Sequence, residues 1–209
     1  MYSKTTTSHG TRRHTHTAGA RQRLRSLLLG GVGTMLLASC SKESFDFSSM
    51  HAQFVYNNSI HQDATLQSAL NAMSPGVFCR IYEGYEGGSM YFYFESNQGL
   101  SSRQKATADD LRPTRILGIL PKTGIIVGYG NLSSPAVLYA YDSQCPNCYA
   151  ETNMASYKLA MSPSGIATCQ KCKREYDLNN NGLSATGGKK LIKYRVTCTG
   201  PLGMLSVSN

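Results

Sequence analysis

Two Cys-x-x-Cys pairs carry the chemistry of this sequence: CPNC, with Cys145 and Cys148, and CQKC, with Cys169 and Cys172. Two cysteines separated by two residues can put both sulfurs on one ion from a single tight loop. Two such loops meeting face to face complete a tetrahedral shell of four thiolates. Pro146 favours a turn after the first cysteine, and Gly165 precedes the second loop. Lys171, Lys173 and Arg174 bring positive charge, which lowers thiol pKa and offsets four thiolates on one dication. Disulfides are the competing chemistry. A ring closed over two intervening residues is small and strained, whereas pairing between the two loops is less so. A coordinated thiolate is held deprotonated and resists oxidation, so the four cysteines are read as a metal site. Ligand softness admits zinc, a 2Fe-2S cluster or a single iron ion, ranked in that order. Two matched pairs with no βαβ pattern around either argue against a thiol oxidoreductase.

Three cysteines remain. Cys79 and Cys198 fall in expected strands and read equally as buried apolar residues or as a disulfide joining the N-terminal part to the last strands. Cys40 closes a different pattern. Residues 1–39 contain Lys4, Arg12, Arg13, Arg21, Arg23 and Arg25 and no acid, and the basic stretch runs into SLLLGGVGTMLLAS. That apolar run is short for a bilayer but suits the core of a signal peptide. Arg12 and Arg13 form a twin-arginine pair, but hydrophobic residues do not follow at once. The ending LASC resembles the lipobox of bacterial lipoproteins. The resemblance implies that Cys40 is acylated on its thiol, with palmitate-type chains, and becomes the first mature residue. Residues 1–39 are then a lipoprotein signal peptide, residues 40–50 a polar tether, and residues 51–209 a single domain held on a membrane surface. The expected location is the cell envelope, with the outer membrane first.

The net charge of +9 over 209 residues is concentrated in the leader. Without residues 1–39 the chain has 15 basic and 12 acidic residues, a net of +3. That argues against a basic stripe for nucleic acid. With 41% hydrophobic residues the chain has enough apolar surface to fold.

The elements that must position the cysteines read as β structure. HAQFVYNNS suggests a strand, and DATLQSALNAMSPG suggests the one helix. In that helix Asp63 is the cap, Leu66, Ala69, Leu70 and Met73 form the apolar stripe, and Pro75-Gly76 is the stop. GVFCRIYEG and SMYFYFES form strands about the turn EGGS. The YFYF run at Tyr91 is read as core packing, with a sugar- or peptide-binding face as the other reading. NQGLSSRQKATADDLRPTR is expected as a polar loop, with Asp109-Asp110 solvated in it. TGIIVGYGNLSS, AVLYAYDS, KKLIKYRVTC and GMLSVS complete the strands, and the glycines near Gly128 lack the strand-to-helix setting of a phosphate loop. Many short strands with Gly, Pro and Asn turns indicate a mainly β fold, a small antiparallel barrel or sandwich with two metal-binding loops and one short helix.

The surroundings of the cysteines add a resemblance over residues 123–209. A strand ending in Tyr141-Asp142 precedes the first loop. Tyr176-Asp177-Leu178 and Gly182 follow the second, and Leu191 with Tyr194 lies in the next strand. This order is similar to that of Rieske-type iron–sulfur domains. The resemblance implies a small antiparallel β fold whose two loops present a metal centre, in that family a 2Fe-2S cluster on two cysteines and two histidines. Cys145 and Cys169 match the cysteine positions. Cys148 and Cys172 stand where histidines would be, and the first loop has two intervening residues where the family has one. His51 and His61, the only histidines after the leader, lie far upstream.

Two kinds of function follow. The first is a lipid-anchored binding or interaction module in which structural zinc fastens the two loops. The second is an electron-transfer protein or redox subunit with iron at the same cysteines, and with Tyr149 and the basic KCKR near a docking surface. No catalytic constellation is evident, and any protein partner is unspecified.

Overall fold

The computed structural model describes residues 46–112 and 114–209. The expected signal peptide, Cys40 and the first residues of the tether lie outside them.

Alternation sets the larger sheet. In β1 (Gln53–Asn57) Phe54 and Tyr56 are buried while Gln53 and Val55 face solvent. In β3 (Ser89–Ser96) Met90, Phe92 and Phe94 are buried, and Tyr91 and Tyr93 lie on the other face. The YFYF run is thus split between core and surface. On the surface Tyr93 stacks on Tyr82 with ring centroids 5.0 Å apart. β2 (Phe78–Glu86) forms a hairpin with β3 and pairs with β5 (Ile125–Tyr129) on its other side. β6 (Leu138–Asp142), β11 (Lys193–Cys198) and β12 (Met204–Ser208) carry the sheet on to β1, while β4 (Ser101–Lys105) forms the opposite edge. The eight strands run β1-β12-β11-β6-β5-β2-β3-β4, all antiparallel, and curl into a half-barrel. The mainly β, antiparallel architecture agrees with the sequence reading.

Among the described residues four short helices stand where one was expected: α1 (Asn58–His61), α2 (Ala64–Ala69), α3 (Ala108–Leu111) and α4 (Pro146–Thr152). Asp63 caps α2 by accepting from Leu66 N at 2.9 Å, and Leu66, Ala69 and Leu70 are buried. The helix stops before Met73, which is 88% exposed. Asn71 Oδ1 accepts Met73 N at 3.0 Å, a local turn that competes with helical hydrogen bonding.

The expected polar loop after residue 96 is also more structured. β4 has no apolar side, and its strand form comes from pairing with β3. α3 opens on a Thr107–Asp110 capping box. Asp110 is not solvated: it is buried, with Oδ2 2.9 Å from His61 Nε2, and the His61 ring stacks on Tyr56. Asp109 alone stays exposed.

Residues 143–192 form a lobe between β6 and β11. It contains α4 and a second antiparallel sheet, β10-β9-β8-β7, built from β7 (Leu159–Met161), β8 (Ile166–Cys169), β9 (Glu175–Asp177) and β10 (Leu183–Ser184). The strands on either side of the lobe pair directly, Tyr141 with Lys193. Two cores result. The larger lies beneath α2 around Phe54, Tyr56, Phe92 and Phe94. The smaller joins the lobe to the large sheet through Phe78, Ile126, Tyr141, Tyr176 and Leu191, and it includes three of the four paired cysteines. Each large apolar side chain buried in these cores contributes roughly 1.5–3 kcal/mol.

Cys79 is buried in the larger core, and Cys198 is half-buried on β11 with its sulfur accepting Gly200 N at 3.3 Å. Both are free thiols, so the disulfide that was the alternative reading for this pair is not formed.

Candidate metal centre

The first loop is aimed by Asp142, the last residue of β6. Its Oδ1 accepts Gln144 N at 2.7 Å, and its Oδ2 accepts Ile119 N at 2.7 Å and Tyr194 Oη at 2.8 Å. Burial pushes this carboxyl pKa up, and the three hydrogen bonds to its charged form only partly oppose that. Gly118 makes the approach feasible. It has φ +71°, and a Cβ there would come within 2.3 Å of Asp142 Oδ2.

Gln144 then ties the far side of the loop, accepting Tyr157 N on Oε1 at 3.0 Å, while Cys145 N donates to Tyr157 O at 2.9 Å. Pro146 sits at the start of α4, where its missing N–H has no helical partner to lose. One turn of α4 brings Cys148 onto the same side as Cys145. The second loop is a hairpin knuckle at the end of β8. Lys173 N donates to Cys169 O at 2.9 Å and Cys169 N donates to Arg174 O at 3.0 Å, which folds Cys172 back beside Cys169. Lys173 takes the left-handed conformation this requires, φ +58°.

These two loops bring all four sulfurs within 4.8 Å of one another. Across the loops, Cys145 Sγ lies 3.6 Å from Cys172 Sγ, and Cys148 Sγ lies 3.8 Å from Cys169 Sγ. Disulfide sulfurs stand about 2.05 Å apart. A tetrahedron with metal–sulfur distances of about 2.3 Å has edges of about 3.8 Å. The four-cysteine set therefore fits one metal ion. Cys145, Cys148 and Cys169 are fully buried and Cys172 is partly exposed. Among the described residues no other group of three or more His, Cys, Asp or Glu side chains converges in this way. His51 and His61 take no part.

The electrostatics differ between ligands. Burial pushes the Cys148 and Cys169 thiols up, and bonds from neighbouring thiols add to the rise. At Cys172 burial acts in the same direction, but the Arg174 amide and the three other thiols outweigh it and hold the group at about 7. The Arg174 side chain also bonds the Cys172 sulfur and lies 3.8 Å from Glu151. Lys171 turns aside: its Nζ donates to Tyr157 Oη at 2.9 Å and lies 4.2 Å from the centre of that ring.

Two supporting residues escaped the sequence reading. Tyr176 Oη lies 3.2 Å from Cys145 Sγ and accepts Asn147 Nδ2 at 2.8 Å. Asn147 also accepts Lys189 N and donates to Lys189 O. Tyr176 was legible only as part of an aromatic-Asp-Leu segment, and Asn147 only as filler between cysteines. The other residues of that segment are structural: Leu178 and Leu191 are buried, and Tyr141 Oη donates to Leu178 O at 3.1 Å.

No protein-family model matches the chain, and neither the curated proteins nor the solved structures include a significant match. The likeness to Rieske-type domains thus rests on the order of residues alone, while the four-cysteine cluster stands on geometry.

Proposed function

We propose that this chain is a lipid-anchored protein of the bacterial cell envelope, with the outer membrane as its first location, whose domain is a binding or interaction module fastened by structural zinc on Cys145, Cys148, Cys169 and Cys172. One observation carries the zinc reading: four sulfurs lie within 4.8 Å of one another, and the two cross-loop pairs, at 3.6 and 3.8 Å, match the edge of a single tetrahedron. A two-iron cluster sets the thiolates of one iron apart from those of the other, and so calls for a wider spread than one ion does. Burial of three ligands also suits a fastener better than a redox centre open to a partner. Four thiolates close the shell and leave no position for water or substrate, so hydrolytic chemistry is not part of this reading. Bound zinc would cancel charge among the buried sulfurs and join the lobe's two loops, contributing directly to folding. The lipid anchor is supported by the order of features ending at Cys40. Among the described residues no helix is long and apolar enough to cross a membrane.

The residue order shared with Rieske-type domains favours a second reading, an all-cysteine 2Fe-2S electron carrier. Metal analysis with an absorption spectrum of protein purified without added metal decides between them. Colourless protein with one zinc per chain supports the first reading. Coloured protein with two irons and sulfide per chain overturns it in favour of the second, and one iron without sulfide leaves a mononuclear iron site. Mass spectrometry of the N-terminal peptide tests acylation at Cys40 separately.

A further inference from the structure

We propose that the side of the domain carrying Lys189, Lys190, Lys193 and Arg195 rests on an anionic phospholipid surface. The inference builds on the lipid anchor proposed above and names the face that anchor turns to the membrane.

Charge divides unevenly along the fold. Residues 143–209 carry eight Lys or Arg against three Asp or Glu, a net of +5, whereas residues 46–142 carry six against eight, a net of −2. The start of the described chain is fastened to the basic half. Asp46 pairs with both Lys190 and Lys193 and accepts Asn181 Nδ2 at 3.1 Å. The Phe47 ring lies 4.9 Å from Lys193 Nζ and 4.9 Å from the Arg195 guanidinium carbon. Ser48 N donates to Lys193 O at 2.8 Å.

Asp46 is only six residues from Cys40. Extended chain of that length reaches about 20 Å at most. An acyl chain on Cys40 therefore delivers the basic side to the headgroups. Asp46 offsets one positive charge of the patch, while Lys189 and Arg195 stay exposed. An anionic leaflet attracts each such side chain by about a fivefold factor, within a screening distance of about 8 Å in physiological salt.

The test uses protein purified from membranes with its native N-terminus, mixed with phosphatidylcholine vesicles with or without phosphatidylglycerol. Flotation with neutral vesicles reports the anchor, and lysine acetylation read by mass spectrometry reports the face. Adding phosphatidylglycerol should slow acetylation of Lys189 and Lys190 by about fivefold. Lys105, on β4 at the far edge of the sheet from β11, and Lys122, in the net-acidic stretch 46–142, should be unaffected, and high salt should abolish the difference. Lys189→Gln with Arg195→Gln should weaken the slowing at Lys190. Equal rates on both vesicles, or equal slowing at Lys105 and Lys122, would overturn the proposal even if the protein floats. Slowing at Lys189 and Lys190 in protein that does not float with neutral vesicles would uphold the patch and sink the anchor.

Discussion

Stripping the metal with a high-affinity chelator should lower the melting temperature by about 10 °C. The cross-link it removes joins Cys145 to Cys172, 27 residues apart. Closing a loop of that length restrains the unfolded chain by about 3.5 kcal/mol at room temperature in the chain-entropy account of cross-links. For a domain of this size each kcal/mol corresponds to a shift of about 2–4 °C. The loss should begin in the lobe, because Cys145, Cys148 and Cys169 belong to the smaller core. The near-ultraviolet signal of Tyr176, whose hydroxyl contacts Cys145 Sγ, should therefore change first. Calorimetry, near-ultraviolet circular dichroism and elemental analysis on one sample make the measurement. Cys79→Ser is the control: it removes a buried sulfur from the larger core, so it should lower the melting temperature while leaving metal content unchanged. The reasoning is refuted if chelated protein, shown to be metal-free, melts at the same temperature as the untreated protein.

Other expectations follow from single contacts. Tyr176→Phe removes the hydroxyl beside Cys145 Sγ and leaves Asn147 Nδ2 without that acceptor. It should weaken metal binding about tenfold in a chelator competition, as loss of an outer contact to a ligand does. Hydrogen peroxide should expel the metal and oxidise four thiols to two disulfides while two peroxides are reduced to water. Peptide mapping should find Cys145–Cys172 and Cys148–Cys169, the pairs already 3.6 and 3.8 Å apart, and a Cys145–Cys148 bond would contradict the geometry. Burial acts to raise the Asp46 pKa, but Lys190 and Lys193 outweigh it and hold the group well below its ordinary 3.8. A depressed folded pKa gives stability that is complete above the ordinary value and is lost as pH falls through the folded one. Pepsin cleavage beside Phe47 should therefore accelerate only on strong acidification, and Asp46→Asn should remove that dependence. Gly118→Ala should destabilise the domain by several kcal/mol, read as a lower denaturation midpoint in urea, because its Cβ meets Asp142 in a left-handed backbone.

The sequence made the four-cysteine cluster readable because cysteine pairs at this spacing have few other uses, and the two loops do converge. Strands with one buried face, such as β1 and β3, were readable for the same kind of reason: alternation is a local signal of burial. β4 was not, because Ser101–Lys105 has no apolar period and becomes a strand through its partner. The end of α2 was misplaced because Met73 keeps the helical spacing while the Asn71 side chain closes a turn inside it. Asp110 looked like half of a solvated pair. Its burial depends on His61, 49 residues away, and no local pattern reports that distance. The same limit hid the depth of the cysteines. Spacing tells which sulfurs can share an ion, but the walls of their chamber come from Phe78 and Ile126 in strands of the other sheet.

The lobe enters and leaves through neighbouring rungs of one ladder, Tyr141 opposite Lys193, with Asp142 N donating to Ile192 O at 2.8 Å. A segment whose two ends stand side by side is topologically a cartridge. Its exposed turns can lengthen or shorten without altering the register of the eight strands that carry it, so long as the side chains that cover Phe78 and Ile126 are kept, and β6 with β11 forms the socket.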